Sequence, residues 1–168
     1  HVLQELAPQS ASVDVTAPLM GSVGRMVEQK GADLLLKAIE PMVEETDANF
    51  VILGSGEKIY ERGFTQLARR YPGRVLVRIG YAEDLAHKIE AGADMFLMPS
   101  RFEPCGLNQM YSLAYGTPPI VHATGGLKDT VVDASQESLA TGDGTGFVMQ
   151  EATTAEVRRC LERAVELY

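Results

Sequence analysis

The sequence predicts an α/β fold: a doubly wound, Rossmann-like parallel sheet in a single domain. Short runs that are apolar throughout alternate with helix-like periodic segments from about residue 18 to the end of the chain. The apolar runs are only three to five residues long, as expected for strands that helices cover on both faces. Strands that alternate with helices of about 10 to 15 residues are typical of right-handed βαβ units, so the sheet should be parallel.

Six strands are predicted, and three of the helices between them have a clear apolar stripe. The strands cover residues 19–23, 50–53, 75–79, 95–98, 119–121 and 147–149. The stripes are Leu35, Ala38, Ile39, Met42 and Val43; Tyr60, Phe64, Leu67, Ala68 and Tyr71; and Val157, Cys160, Leu161, Ala164, Val165 and Tyr168. We expect a capping box of Thr153 and Glu156 to open the third helix, and Cys160 to lie in the core. Residues 1–17 predict a short helical start and an approach to the first strand.

Composition excludes several classes of protein. Hydrophobic residues make up 45% and charged residues 23% of the 168, which is typical of one globular domain and not of a disordered or fibrous chain. No apolar run is long enough to span a membrane, and the first residues lack the pattern of a signal peptide. Cys105 and Cys160 lie in unlike contexts, so neither a disulfide framework nor a metal site is predicted. A cytoplasmic protein, or a plastid one if the source is a plant, fits best.

The formal net charge of -8 argues against a nucleic-acid partner, because no basic tract offsets the repulsion of a polyanion. A small anion can still bind, since it responds to local donors more than to a screened global charge. Any phosphate site must therefore consist of a few positioned groups.

Candidate groups follow the predicted strands, at the sheet edge where ligands of such folds bind. Arg25 and Lys30 come after the first strand and suit a diphosphate, although two such cations, taken by themselves, are more often solvated surface charges. After the second strand, we interpret Gly54-Ser55-Gly56 as a tight turn that lets the backbone approach a ligand. Because Ile59 stands where a dinucleotide fingerprint has its third glycine, a turn required only by chain geometry explains this segment equally well.

A carboxylate precedes a predicted helix after the fourth strand. Pro104 disfavours helical structure at Glu103, and Gly106 frees the backbone just before a stripe of Leu107, Met110, Tyr111 and Ala114. The free amides at the helix start predict an anion site. Glu103 would repel a phosphate, so we expect it to accept hydrogen bonds from sugar hydroxyls; the alternative is a helix-capping acid.

Two histidines are not assigned a chemical role. The turn Thr124-Gly125-Gly126 opens another predicted helix after the fifth strand, and His122, just before it, is interpreted as a hydrogen-bonded structural residue. His87 is expected in a helix, facing solvent.

Together these segments resemble the bacterial glycogen synthase and plant starch synthase family, which are retaining glucosyltransferases of the two-domain type B fold (GT-B). The matching phrases occur in family order and span roughly residues 15–168. They are Arg25-x4-Lys30-Gly31, Ile79-Gly80-Tyr81, Ala91-Gly92-Ala93-Asp94, Pro99-Ser100-Arg101-Phe102-Glu103-Pro104-Cys105-Gly106-Leu107 and Thr124-Gly125-Gly126-Leu127-x-Asp129-Thr130-Val131.

The resemblance implies roles for individual residues. Arg25 and Lys30 match the positions that neutralise the donor diphosphate, and Glu103 matches the acid beside the transferred glucose; these three are the predicted catalytic residues. Tyr81 lies where the family borders adenine, and Tyr111 stands where related enzymes have a ribose-binding Glu, so no such carboxylate contact is carried over. The backbone of Gly106, Leu107 and Asn108 matches the helix start under the phosphates. The other candidate nucleotide-sugar contacts are Gly54, Cys105, Thr124 and Gly125.

The resemblance further implies that residues 1–168 are the C-terminal, nucleotide-sugar-binding half of the enzyme, without its N-terminal domain. The parent would transfer glucose from ADP-glucose to an α-1,4-glucan with retention, releasing ADP, with no metal or cofactor and no membrane partner. The isolated chain is expected to bind ADP without turnover. Two alternatives remain: a binding module without chemistry of its own, and another nucleotide-sugar hexosyltransferase or an epimerase on the same fold.

Overall fold

Six parallel strands form one sheet in the computed structural model, which describes residues 14–168. The strands are β1 (Leu19–Met26), β2 (Asn49–Gly56), β3 (Val75–Ile79), β4 (Met95–Met98), β5 (Pro119–His122) and β6 (Phe147–Met149). Their order across the sheet is β3-β2-β1-β4-β5-β6, and every neighbouring pair is parallel. The chain reverses its direction of travel across the sheet between β1 and β4, which creates a topological switch point there. The predicted doubly wound fold is confirmed.

Helices cover both faces of the sheet. They are α1 (Ala32–Glu45), α2 (Lys58–Arg70), α3 (Glu83–Gly92), α4 (Asn108–Tyr115), α5 (Gly125–Thr130), α6 (Gln136–Thr141) and α7 (Thr154–Leu167), and a 3-10 turn, Glu28–Lys30, precedes α1. Alternate residues of each strand point to opposite faces. Phe50 and Ile52 therefore join the core under α1, α2 and α7, whereas Val51 and Leu53 join the core under α3 and α5.

The predicted glycine turn after the second strand is wrong. Residues 54–56 continue β2, and Gly54 pairs with Gly24 of β1. A Cβ at Gly54 would lie 1.9 Å from the carbonyl oxygen of Gly24, so glycine is needed here for the close approach of two strands. β1 likewise runs beyond its predicted end, so that Arg25 lies within the strand and pairs with Ser55 of β2.

The predicted start of the last helix is half right. The Thr153 hydroxyl accepts a hydrogen bond from the Glu156 amide at 3.2 Å, but the Glu156 carboxylate turns to Arg159 and to the Gln150 amide instead of completing the box. Cys160 is fully buried, as predicted, and burial raises the pKa of its thiol to about 11. This thiol therefore stays protonated at neutral pH and belongs to the core.

Helix α4 buries a different face from the one its apolar stripe predicts. Leu107, Met110 and Tyr111 are exposed, whereas Gln109 and Ser112 are fully buried. The two polar side chains are tolerated because each donates a hydrogen bond to a backbone carbonyl, of Gly106 at 2.8 Å and of Thr117 at 2.9 Å.

No helix within residues 14–168 is long and apolar enough to cross a membrane. The same residues contain no group of three His, Cys, Asp or Glu side chains that could hold a metal ion. The helical start predicted near the N-terminus lies outside the described residues.

Candidate functional site

A cavity of about 240 Å³ opens beyond the carboxyl ends of β1 and β4, at the switch point; we call it the inner cavity. Its walls come from the ends of β1, β2 and β4, from Lys30 of the 3-10 turn, from α1 and α2, from the segment after β4, and from the start of α4. The polar and charged lining residues are Ser22, Arg25, Lys30, Ser100, Glu103 and Asn108. Parallel topology thus brings together residues that are far apart in the sequence.

The two predicted cations occupy different electrostatic settings. Lys30 forms an ion pair with Glu103, and their side chains are 25% and 12% exposed. Arg25 is exposed and makes no ion pair with any of residues 14–168. The Lys30–Glu103 pair is close to neutral overall, so Arg25 supplies the uncompensated positive charge at this end of the cavity.

Arg101 fixes the segment that carries Glu103, here called the acid loop (residues 99–107). Its guanidinium donates to both oxygens of Asp33 at 2.7 and 2.8 Å and to the Glu28 carbonyl at 2.7 Å. The hydrogen bond from Arg101 is the main reason why the pKa of Asp33 is lowered. A fork of this kind holds the acid loop against α1 and the 3-10 turn, which keeps Glu103 beside Lys30.

Gln109 clamps the other end of the acid loop. Its Nε2 donates to the Gly106 carbonyl at 2.8 Å and lies 3.3 Å from the Cys105 carbonyl and from the Thr130 hydroxyl. The side chain is fully buried, and its Oε1 has no partner within residues 14–168. Gln109 therefore ties the turn before α4 to α5, a supporting role that nothing in the sequence alone indicates.

Three predicted contact residues line neither the inner cavity nor the cavity beside it. Thr124 is the N-cap residue of α5 but makes no side-chain capping hydrogen bond, and Gly125 packs directly behind Glu103, with φ +46°. Cys105 is exposed on the loop itself. The Gly126 amide completes the support with a 3.2 Å hydrogen bond to the Glu103 carbonyl.

Replacing Gly125 by alanine is expected to destabilise the protein, because a Cβ there would lie 2.0 Å from the Glu103 carbonyl oxygen at a positive φ. We expect a loss of about 2–5 kcal/mol in the free energy of unfolding, measured with urea, because the left-handed backbone and the overpacking both cost free energy. The matched control is Gly142→Ala, which has φ +79° but open space around its Cβ and should lose about 1 kcal/mol. Equal losses at the two positions would show that the acid loop does not need this close contact.

A second cavity, of about 310 Å³, lies next to the first and is called the side cavity here. The two share the walls formed by Val23, Gly24, Arg25, Leu53 and Asn108. The side cavity extends to the ends of β2 and β3 and to α3. Its remaining lining is Gly54, Ser55, Gly80, Tyr81, Ala86, His87, Glu90 and Tyr111.

The structure places most of the predicted site residues on these two cavities. Tyr81, which is 85% exposed, stands at the mouth of the side cavity, and Tyr111 lines its wall. Asn108, the first residue of α4, lines both cavities and donates to the Val23 carbonyl at 3.3 Å. The α4 N-terminus therefore faces the shared wall, as the anion-site hypothesis requires; the ligand contacts themselves stay predictions.

The two histidines differ in their surroundings. The Nδ1 of His122 lies 3.0 Å from the Ser100 carbonyl, in keeping with a structural role. His87 is exposed on a helix, as predicted, but it also lines the side cavity and hydrogen-bonds Glu90. The sequence does not single out Glu90 as a site residue, since a single acid in a helix gives no signal of burial.

The structure is an open α/β domain with a cleft at its switch point, two cations in that cleft and a helix N-terminus on its wall, which is where ligands of such folds bind. The model of the family described as "Glycosyl transferases group 1" matches residues 17–164, so the chain belongs to that family.

The most similar relatives include glycogen synthases. Over 158 residues the chain is 56% identical to a glycogen synthase of Hydrogenovibrio crunogenus, covering 94% of this chain and 32% of that protein. It is 51% identical to a glycogen synthase of Cellvibrio japonicus over 99% of this chain and 34% of that one. The chain thus spans about a third of the length of the curated relatives it matches. The resemblance to glycogen synthases is confirmed.

Solved structures agree with this result. The catalytic domain of starch synthase IV from Arabidopsis thaliana, bound to ADP and acarbose, superposes with a TM-score of 0.83 at 36% identity, over 99% of this chain and 34% of that one. Sucrose-phosphate synthase from Thermosynechococcus elongatus superposes with a TM-score of 0.67 at 23% identity, over 92% and 37%. The second likeness concerns the fold alone. The fold is similar to the C-terminal domains of GT-B glycosyltransferases.

Proposed function

We propose that this chain is the donor-binding half of an enzyme that transfers glucose from ADP-glucose to the end of an α-1,4-glucan, with retention at the anomeric carbon. The observation that carries the proposal is the Lys30–Glu103 ion pair in the inner cavity, together with Arg25, which lines the same cavity and has no ion-pair partner within residues 14–168. Cations and a carboxylate are what a sugar diphosphate requires: positive charge at the phosphates and a hydrogen-bond acceptor at the sugar. The similarity to glycogen synthases and to an ADP-bound starch synthase supports this choice of substrates.

The diphosphate would lie against the shared wall of the two cavities. Arg25 offers a planar pair of donors, and Lys30, which lines the inner cavity, offers a point charge. The first amides of α4, at Asn108, add the positive end of a helix. Negative charge grows on the diphosphate as the bond to glucose breaks, so these groups stabilise the transition state more than the bound donor.

The glucose would lie beside Glu103. The acid loop holds this carboxylate through Arg101 and Gln109, and its oxygens would accept hydrogen bonds from sugar hydroxyls. A carboxylate at this place also stabilises the positive charge that develops on the glucose ring.

Retention follows most simply from attack on the face that the diphosphate leaves. The two thiols within residues 14–168 do not suit a nucleophile, because Cys160 is fully buried and Cys105 lines neither cavity. In the proposed route the departing phosphate oxygen takes the proton of the incoming glucan hydroxyl. The new C–O bond then forms on the side where the old one breaks, and the protein contributes positioning and charge.

The proposal predicts that the isolated chain binds ADP but does not elongate a glucan. Its inner and side cavities provide one wall of a cleft, so the affinity should be lower than that of the full-length enzyme, in which a closed site forms. Isothermal titration calorimetry checks the binding, and incorporation of labelled glucose into glycogen checks the activity. No heat of binding at millimolar ADP, or elongation by the purified chain, would contradict the proposal. A cytoplasmic location remains part of the proposal.

A further inference from the structure

Glu90 is a buried carboxylate that the proposed reaction does not use. Only 3% of the residue is exposed. Burial raises the pKa of this carboxyl, and the neighbouring His87 opposes the rise. A buried acid costs free energy unless hydrogen bonds or an opposite charge compensate for its lost hydration.

One contact holds the carboxylate of Glu90 and another holds its backbone. Its Oε2 lies 3.2 Å from Nδ1 of His87, whose ring meets the ring of Tyr111 edge-on, with centroids 6.0 Å apart. The backbone carbonyl of Glu90 accepts a 2.7 Å hydrogen bond from the Thr117 hydroxyl. These contacts fix this turn of α3 and orient Glu90 with respect to α4.

Glu90 lies on the wall of the side cavity and is its one carboxylate among the described residues. The other charged or titratable lining groups are Arg25, Tyr81, His87 and Tyr111. The side cavity therefore has a cation where it joins the inner cavity and a hydrogen-bond acceptor at its buried side. A ligand that fits both has an anionic end and a neutral end with N–H or O–H donors.

We propose that Glu90, oriented by His87, accepts a hydrogen bond from the nucleoside part of the donor and so contributes to nucleotide specificity. The inference rests on the proposed function, because a nucleoside diphosphate held at Arg25 and Lys30 directs its nucleoside towards the adjoining side cavity. An ionised carboxylate can accept hydrogen bonds but cannot donate them. A nucleoside offers it two kinds of hydrogen-bond donor. These are the hydroxyls of the ribose and the amino group of the base.

The test compares ADP with inorganic pyrophosphate, which lacks the nucleoside, in titrations of the chain. Glu90→Gln keeps the size of the side chain but removes its charge. We expect ADP to bind about 10-fold more weakly, at the lower end of the range for one hydrogen bond to a charged group, and pyrophosphate to bind as before. The matched control is Glu83→Gln, at the exposed start of α3 outside the cavity, which should change neither affinity.

Two ADP analogues identify the donor. If the ribose makes the contact, 2′,3′-dideoxy-ADP binds the wild type and Glu90→Gln equally well. If the amino group makes it, inosine diphosphate, which carries an oxygen in place of that group, removes the difference. A 10-fold difference that persists with both analogues overturns the proposal, because neither donor then reaches Glu90.

The remaining outcomes separate this inference from the proposed function. If the wild-type chain binds neither ADP nor pyrophosphate, the proposed function itself fails. If it binds both and Glu90→Gln binds ADP equally well, or loses both affinities together, only the role of Glu90 is refuted. Thermal unfolding of each variant is measured first, and Glu90→Met, which fills a similar volume without an acceptor, replaces Glu90→Gln if that variant does not fold.

Discussion

Replacing Glu103 by alanine in the full-length enzyme is expected to lower its turnover number by about 100- to 1,000-fold, the range for removing one group that stabilises a transition state. The affinity for ADP should remain or increase. The reason is the ion pair: without Glu103, the Lys30 ammonium loses its partner in the inner cavity and becomes fully available to the diphosphate. Initial rates at saturating donor, measured beside ADP titrations, check both halves of this prediction.

Two further variants sharpen the interpretation. Glu103→Gln keeps the size of the side chain and can still accept a hydrogen bond, so its turnover should lie between the wild type and Glu103→Ala. Glu166→Ala removes an exposed acid from α7 and should leave rate and affinity unchanged. A Glu103→Ala enzyme that loses ADP binding but keeps its rate at saturating donor would assign Glu103 to the phosphates and not to the sugar.

The fold was predictable because its signals are local. Continuous apolar runs indicate strands that are buried on both faces, and apolar residues at every third or fourth position indicate helices. Both patterns can be read without knowing which elements pack together. Ile39, Phe64 and Leu161 are on predicted stripes and are all buried. The bounds of β1 and β2 were less predictable, because glycine at Gly54 favours a turn locally, whereas pairing with β1 keeps the chain extended.

The candidate site was only partly predictable because its contacts join distant segments. Its loops could be located, since parallel strands bring their carboxyl ends to one edge. The Lys30–Glu103 pair, however, joins residues 73 positions apart, and the hydrogen bonds of Gln109 explain why α4 buries a polar face. The burial of Glu90 depends on how α3 packs against its neighbours. Contacts between distant residues leave no repeating pattern in the sequence. From the sequence alone, Lys30 and Glu103 therefore receive separate roles and Glu90 receives none.

The ion pair also changes what is expected of the two phosphate-binding cations. Arg25 is exposed and has no ion-pair partner among the described residues, so its loss removes one partly screened contact. Lys30 is less exposed, and its loss does two things at once: it removes a cation and leaves the carboxylate of Glu103 uncompensated in the same cavity. Breaking one side of a shielded pair generally costs more than the pair contributes.

Accordingly, Arg25→Ala should weaken ADP binding about 10-fold, and Lys30→Ala should approach 150-fold, the limits that correspond to about 1.5 and 3 kcal/mol for a hydrogen bond to a charged group. The double variant Lys30→Ala/Glu103→Gln should recover about 10-fold of the affinity that Lys30→Ala loses, because it removes the uncompensated charge while keeping the shape of the acid. Lys37→Ala, on the exposed face of α1, serves as the control and should stay within about twofold of the wild type. Calorimetric titration of ADP into these variants measures all four values under one salt condition.

A double variant as weak as Lys30→Ala would mean that Glu103 does not face the phosphates once Lys30 is gone. An equal loss in Lys37→Ala would attribute the effect to net charge alone.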